Sequence, residues 1–289
     1  MIHLLALIGV LSISFSAIFV RLASVSPVTA TFFRALYALP VLAVVWAARR
    51  RNDQRSRRER VLAFVSGLIL AVDLNLFHES IALIGAGLAT VISNVQVIFV
   101  ALVGWVLYKE RPTAETVVII ATVVAGVVLT SGLARHDAYG SAPVAGAMAG
   151  ITGGVFYAAF LLIYRAANQS LAPVSGPLFD STVGVALGGL LCASLDPGFS
   201  IVPTWPAHLW LLVLALGSQV AGWLLISTAL PRLPMLETSI LLLGQPVLAV
   251  IWGMLFFAEA LSPIQWTGTV LVLAGVGALT TRRRLTTRA

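Results

Sequence analysis

Long apolar stretches separated by short polar joints make up nearly the whole chain. Ten of them reach the ~20 residues an α-helix needs to cross a bilayer. They cover residues 2–22, 28–48, 61–83, 88–107, 114–133, 143–165, 173–195, 207–230, 235–257 and 263–281. Open backbone polar groups are not tolerated in lipid, so each stretch is predicted to be helical. The first is too long for a signal-peptide core, has no Lys or Arg ahead of it and lacks a small-x-small cleavage site. It is therefore expected to be an uncleaved first span.

The polar joints orient these spans. Of eighteen basic residues, fifteen fall on one side if the N-terminus faces the cytoplasm: the seven arginines between Arg49 and Arg60, Lys109, Arg111, Arg165, Arg232 and the closing Arg282, Arg283, Arg284 and Arg288. Only Arg21 and Arg135 fall opposite, and Arg34 lies within the second span. That asymmetry predicts cytoplasmic termini. Trp46 and Trp105 at expected inner ends, and Trp205, Trp210 and Trp266 at outer ends, suit the two interfacial belts.

The pattern also repeats. Gln96–Glu110 reads QVIFVALVGWVLYKE and Gln245–Glu259 reads QPVLAVIWGMLFFAE, at an offset of 149 that also pairs Gly104 with Gly253 and Ala125–Gly126 with Ala274–Gly275. Arg21 and Arg165 correspond at 144. A repeat of half the chain marks a duplicated unit rather than a solenoid. The division expected is residues 1–137 and 138–289, two five-helix repeats in one membrane domain. Five is odd, so the second repeat enters the bilayer from the opposite side. The expected fold class is thus an all-α integral membrane protein of ten transmembrane helices in two inverted repeats, a plan used by secondary transporters.

Composition narrows the function. At 59% hydrophobic and 10% charged residues, with a mean hydropathy of +1.00, the chain cannot cover a soluble globule with polar surface. The net charge of +7 lies beside the spans, as cytoplasmic anchors do, and not in a nucleic-acid-binding face. A single cysteine, Cys192, excludes an internal disulfide or a multi-cysteine metal site, and neither metal nor cofactor is expected.

Candidate chemistry lies inside the spans. The third carries Asp73, Asn75, His78 and Glu79. At ~100° per residue Asn75, His78 and Glu79 share a face, with Asp73 pointing nearly opposite. Ionisable groups in a membrane usually face the bundle interior or a water-filled cavity. The Asn75/His78/Glu79 face is therefore the leading candidate, Asp73 is expected to be a packing contact, and Arg34 is the expected partner of Glu79 in a gating or structural ion pair. Gln96 in the fourth span, Tyr157 in the sixth, Gln219 and Trp223 in the eighth and Gln245 in the ninth are further cavity candidates. Pro40 and Pro246 each free a carbonyl one turn back and predict kinks, the second beside Gln245. Asp180 is expected to pair with Arg165.

The two copies resemble the drug/metabolite transporter superfamily, in particular its ten-helix EamA-type members. The residues that carry the resemblance are ALIGAGLATVISNVQVIFVALVGWVLYKERPT (Ala82–Thr113) and ALPRLPMLETSILLLGQPVLAVIWGMLFFAEALSP (Ala229–Pro263), each followed by a glycine-containing span. The first copy has Gln96–Val97 where many members carry a proline. Within the family the chain is similar to YddG-type exporters of aromatic amino acids, on His78-Glu79-Ser80 and Trp223. The resemblance implies export of small metabolites, amino acids among them, from the cytoplasm across a bacterial inner membrane, through a cavity between the halves. Glu110 and Glu259 match the family's helix-ending glutamate and are expected to cap or anchor rather than touch substrate.

Two other function classes are weighed. A passive channel has the same periodicity as a carrier, and only counterflow separates them. A membrane-embedded enzyme using His78 and Glu79 is disfavoured, since His78-Glu79-Ser80-Ile81-Ala82 lacks the second histidine that would place two zinc ligands on one helix face. Neither GxGxxG nor GxxxxGK[ST] occurs.

Overall fold

A computed structural model of the chain describes residues 2–99, 102–103, 113–131, 139–168, 173–229, 233 and 235–286, with the side chains of 235–240 and 279–286 left undescribed. The described chain is helical nearly throughout. In order run α1 (Ile2–Ser14), α2 (Ser16–Ala23), α3 (Pro27–Arg49), α4 (Arg57–Ile84), α5 (Ala86–Ser93), α6 (Ala114–Thr130), α7 (Pro143–Ala166), α8 (Ser175–Cys192), α9 (Ala207–Val213), a π-helical stretch (Leu214–Gly222), α10 (Trp223–Ala229), α11 (Met235–Phe257) and α12 (Pro263–Thr286).

Among the described residues, six helical segments are long and apolar enough to span a membrane: Ile2–Ala23, Pro27–Asn52, Arg57–Ile84, Pro143–Ala166, Ser175–Leu195 and Ala207–Ala229. Ala86–Phe99, Ala114–Thr130, Leu241–Phe257 and Pro263–Ala278 are shorter apolar helices. Large apolar side chains such as Val44, Val118, Leu191 and Leu255 stand exposed around the bundle. In water such a surface would be an association hazard; lipid solvates it.

Local chemistry explains the starts. Ser26 caps α3, its hydroxyl accepting from Thr29 N at 3.3 Å, with Pro27 in the first turn where no N–H is needed. Ser56 and Glu59 form a reciprocal capping box on α4. Thr113 caps α6. Pro40 and Pro246 lie within continuous helices, so neither proline ends its span.

Two spans expected to be unbroken are interrupted. The first breaks at Phe15, where serines bond backbone rather than leave the ladder undisturbed: Ser14 Oγ donates to Leu11 O at 2.7 Å and Ser12 Oγ donates across to Gly217 O at 2.8 Å. The fourth turns at Asn94, whose Nδ2 donates to Thr90 O at 2.7 Å, while Ser93 Oγ donates to Ala89 O at 2.9 Å. Most of 100–112, including Glu110, lies outside the described residues.

Packing puts α4 at the centre. It runs along both α7 and α8, and α3 runs along α8. The approach is closest where side chains are absent. A Cβ on Gly67 or Gly184 would run into the backbone of the facing helix, the close contact that small residues permit in lipid.

Candidate functional site

Arg34 is carried into the bundle by α3 and is buried. Its Nη2 donates to Gln219 Oε1 at 3.0 Å, and Gln219 Nε2 reaches Thr182 Oγ1 at 3.4 Å. Thr182 Oγ1 donates back to Leu178 O at 2.7 Å, so α8 anchors the relay. Arg34 Nε has no hydrogen-bond partner among the described residues. A guanidinium held in a bundle by one neutral amide, with a donor to spare, is poised for an anion.

The carboxylate that faces this cation is Asp73, not Glu79. Asp73 is buried, lies against Gly153 of α7, and interacts electrostatically with both Arg34 and Tyr157. Arg34 and Asp73 are not in ion-pair contact, and nothing among the described residues hydrogen-bonds the Asp73 carboxylate. Glu79 is exposed and forms no ion pair with Arg34. The expected Arg34–Glu79 pair is therefore corrected. The two carboxylates do lie on different sides of the helix, but the α7-facing side of α4 is the inner one.

His78 is buried one turn further along. Its Nδ1 lies 3.2 Å from Pro27 O and 3.1 Å from Thr31 Oγ1. A proton on Nδ1 suits the carbonyl and leaves Nε2, buried without a partner among the described residues, as an acceptor. Asn75 is half-buried, and its Oδ1 is likewise unpaired among the described residues.

An aromatic wall borders the Arg34 cluster. Phe160 meets Trp223 edge-on at 6.3 Å, Tyr157 at 5.5 Å and Tyr164 at 5.3 Å between centroids. These rings pack with Ala35, Leu70, Leu74 and Val185. Gln219 and Trp223 thus join Arg34, Asp73 and Tyr157 in one region. Gln96 and Gln245 are half-buried, and no hydrogen bond among the described residues ties either side chain to it.

Two further clusters involve carboxylates. Glu259 is buried beyond the end of α11 and accepts from Ala86 N at 2.7 Å, Gly87 N at 3.1 Å and Arg21 Nη1. It caps a helix more than 170 residues away in sequence, supplying a charged acceptor for orphan N–H groups. Arg21 also donates to Tyr139 Oη at 3.1 Å and lies 4.2 Å from the centroid of Phe257. Gly85, with φ of 84°, turns the chain between α4 and α5, and a Cβ there would strike the Glu259 carboxylate.

The second cluster corrects the Asp180–Arg165 expectation. Asp180 Oδ2 lies 2.8 Å from Arg55 Nη1, while Arg165 is exposed. Arg55 also grips Asp53 through Nε and Nη2, both at 2.9 Å, and Trp46 Nε1 donates to Asp53 at 3.0 Å. The Arg55 fork holds the Asp53 carboxyl well below the usual carboxylate range; partial burial opposes it and Trp46 assists. Asp53 and Arg55 were not singled out in the sequence. They stand in an arginine run, and only a third acid on a distant helix sets Arg55 apart. No group of three or more His, Cys, Asp or Glu among the described residues could hold a metal ion.

Comparison with known proteins fits this architecture. The model of the EamA-like transporter family matches residues 1–132 and 144–281. An uncharacterized transporter of Bacillus subtilis (strain 168), YwfM, is 24% identical over 258 residues, 88% of this chain and 84% of that protein. An uncharacterized transporter of Synechocystis, sll1319, is 26% identical over 270 residues, 93% of this chain and 80% of its own. A solved crystal structure superposes with a TM-score of 0.65 at 18% identity, covering 97% of this chain and 98% of the other, a likeness of fold alone.

Proposed function

Since the chain belongs to the EamA-like transporter family, a membrane transporter with a small-molecule substrate, we propose that it exports small metabolites, foremost aromatic or bulky apolar amino acids. The proposed mechanism is alternating access of two inverted five-helix halves across a bacterial inner membrane, with both termini cytoplasmic.

The observation that carries this reading is the Arg34 cluster. A buried cation with a spare donor and a buried carboxylate stand near one another without touching, beside an aromatic wall. A zwitterionic head group suits that arrangement: its carboxylate on Arg34, its ammonium toward Asp73. Trp223, Phe160 and Tyr157 would take an apolar side chain, since binding sites are mostly apolar with a few placed polar groups. His78 Nε2 and Asn75 Oδ1 offer further acceptors, Gln219 orients Arg34, and Gln96 and Gln245 complete the polar lining. Asp73 enters this set and Glu79 leaves it.

Counterflow of labelled amino acids in proteoliposomes, with and without an imposed pH gradient, is the test. Trans-stimulated exchange that is lost in Arg34→Gln and impaired in Trp223→Ala is expected. Uptake without counterflow would indicate a passive pore. Exchange undiminished in Arg34→Gln would remove that residue from the site.

A further inference from the structure

The loop between α3 and α4 presents more positive charge than its own acids can neutralise. Residues 49–60 hold seven arginines and two acids. Both acids are already engaged. Asp53 is gripped by Arg55 and Trp46, and Glu59 accepts from Ser56 N at 2.7 Å and Ser56 Oγ at 2.8 Å to close the cap of α4. Arg49, Arg50, Arg51, Arg57 and Arg58 are exposed, and none makes ion-pair contact with an acid among the described residues. Arg60, also exposed, reaches Asp53 only at 3.7 Å.

The loop is also pinned. Arg55 is buried between Asp53 and Asp180, a Cβ on Gly176 of α8 would strike its guanidinium, and Trp46 stacks on Phe179 at 5.2 Å. The exposed guanidinium groups are thus held on a fixed base, which lowers the entropy lost when they bind. Beside them lies a cleft of about 270 Å³, with Arg58, Ser56 and Glu59 from the start of α4 and Leu62 and Ala166 as its apolar side. The loop joins two membrane-spanning segments, which places it at headgroup depth.

We propose that this loop is a docking surface for anionic phospholipid, with the headgroup phosphate at Arg58 in the cleft and the neighbouring arginines completing its charge. Arginine suits this partner because its planar fork pairs with phosphate oxygens bidentately. A soluble phosphate would satisfy the same guanidinium groups. The position between two spans and the apolar side of the cleft favour the lipid, whose glycerol and acyl carbons need such a surface. The inference stands apart from the transport reading, since it uses none of the Arg34 cluster.

The test is binding of phosphatidylglycerol, against phosphatidylcholine, to the purified full chain in detergent, read by native mass spectrometry and by thermal unfolding. Preferential binding of phosphatidylglycerol, with a rise in melting temperature that fades as salt is added, is expected. Arg58→Gln and Arg57→Gln should each weaken it roughly fivefold, the share of one basic residue near an anionic surface. Arg49→Gln/Arg50→Gln/Arg51→Gln should weaken it further. These residues are exposed, so the variants should fold. Equal binding of the two lipids, or unchanged phosphatidylglycerol binding in the arginine variants, would overturn the proposal. Displacement of phosphatidylglycerol by inorganic phosphate at equal concentration would overturn it in favour of a soluble anion.

Discussion

Glu259 and Asp53 have the same chemistry and opposite architecture. Each is a carboxylate withdrawn from water, each accepts from an arginine, and each lies beyond the end of an apolar helix. Glu259 binds backbone: the two amides that open α5, with Arg21 added from α2. Asp53 binds mainly side chains, the Arg55 fork and the Trp46 indole, two and seven residues away, with the Arg55 amide at 3.2 Å its one backbone donor among the described residues. One joins the C-terminal part of the chain to the N-terminal part; the other shapes a loop and meets α8 at Gly176 and through Arg55. The lesson concerns replaceability. Side-chain donors can turn to another acceptor when theirs is lost, as Arg55 can to Asp180, whereas the amides of a helix start are fixed in space.

Glu259→Ala should therefore have the largest effect. It strands Ala86 N, Gly87 N and Arg21 together, and breaking a buried charged pair costs about 3–5 kcal/mol; a comparable drop in unfolding free energy in detergent would support the clasp. An unchanged melting temperature would remove Glu259 from any structural role. Asp53→Asn should cost about 2 kcal/mol, the scale of a charge-assisted hydrogen bond, because Arg55 retains Asp180. If it equalled Glu259→Ala, the contrast between backbone and side-chain donors would fail. Tyr139→Phe removes a single bond to Arg21 and should cost about 1 kcal/mol, measured the same way.

The smallest effect is one of pH. The Asp53 carboxyl is held below the ordinary aspartate value, so its stabilisation is fully present above that ordinary value and is lost as the pH falls through the lowered one. The stability gap between the parent chain and Asp53→Asn should stay level from neutral pH to about pH 4 and close only below it. A gap that closes between pH 6 and 5 would contradict the Arg55 fork.

The same contrast explains what could be read from the residues alone. Apolar length marked most of the described helical segments within a few residues, because a bilayer imposes that pattern locally. The offset of 149 singled out Glu259, but its partners at Ala86 and Gly87 depend on a tertiary approach that no spacing records. On α4 the 100° rule put Asp73 and Glu79 on different sides and favoured Glu79, whereas Asp73 is the buried one. Which side of a helix looks inward is decided by α7, a neighbour that arrives some 70 residues later. Asp53 and Arg55 were invisible, and Asp180 was matched to the wrong arginine, for a plainer reason: in a run of arginines, nothing local distinguishes the one that is buried.

The π-helical stretch at Leu214–Gly222 has a consequence of its own. Wider winding stows extra chain in a given axial length, so this span is longer in residues than in ångströms. Ser12 and Ser218 stitch the bulge to the interrupted first span, Ser218 Oγ donating to Ser12 O at 2.8 Å. Gln219 lies inside the bulge and Trp223 just beyond it, about one turn further along. A one-residue deletion there would tighten the coil to ordinary α-helical pitch and turn the amide away from Arg34, with no change to the lipid-facing surface.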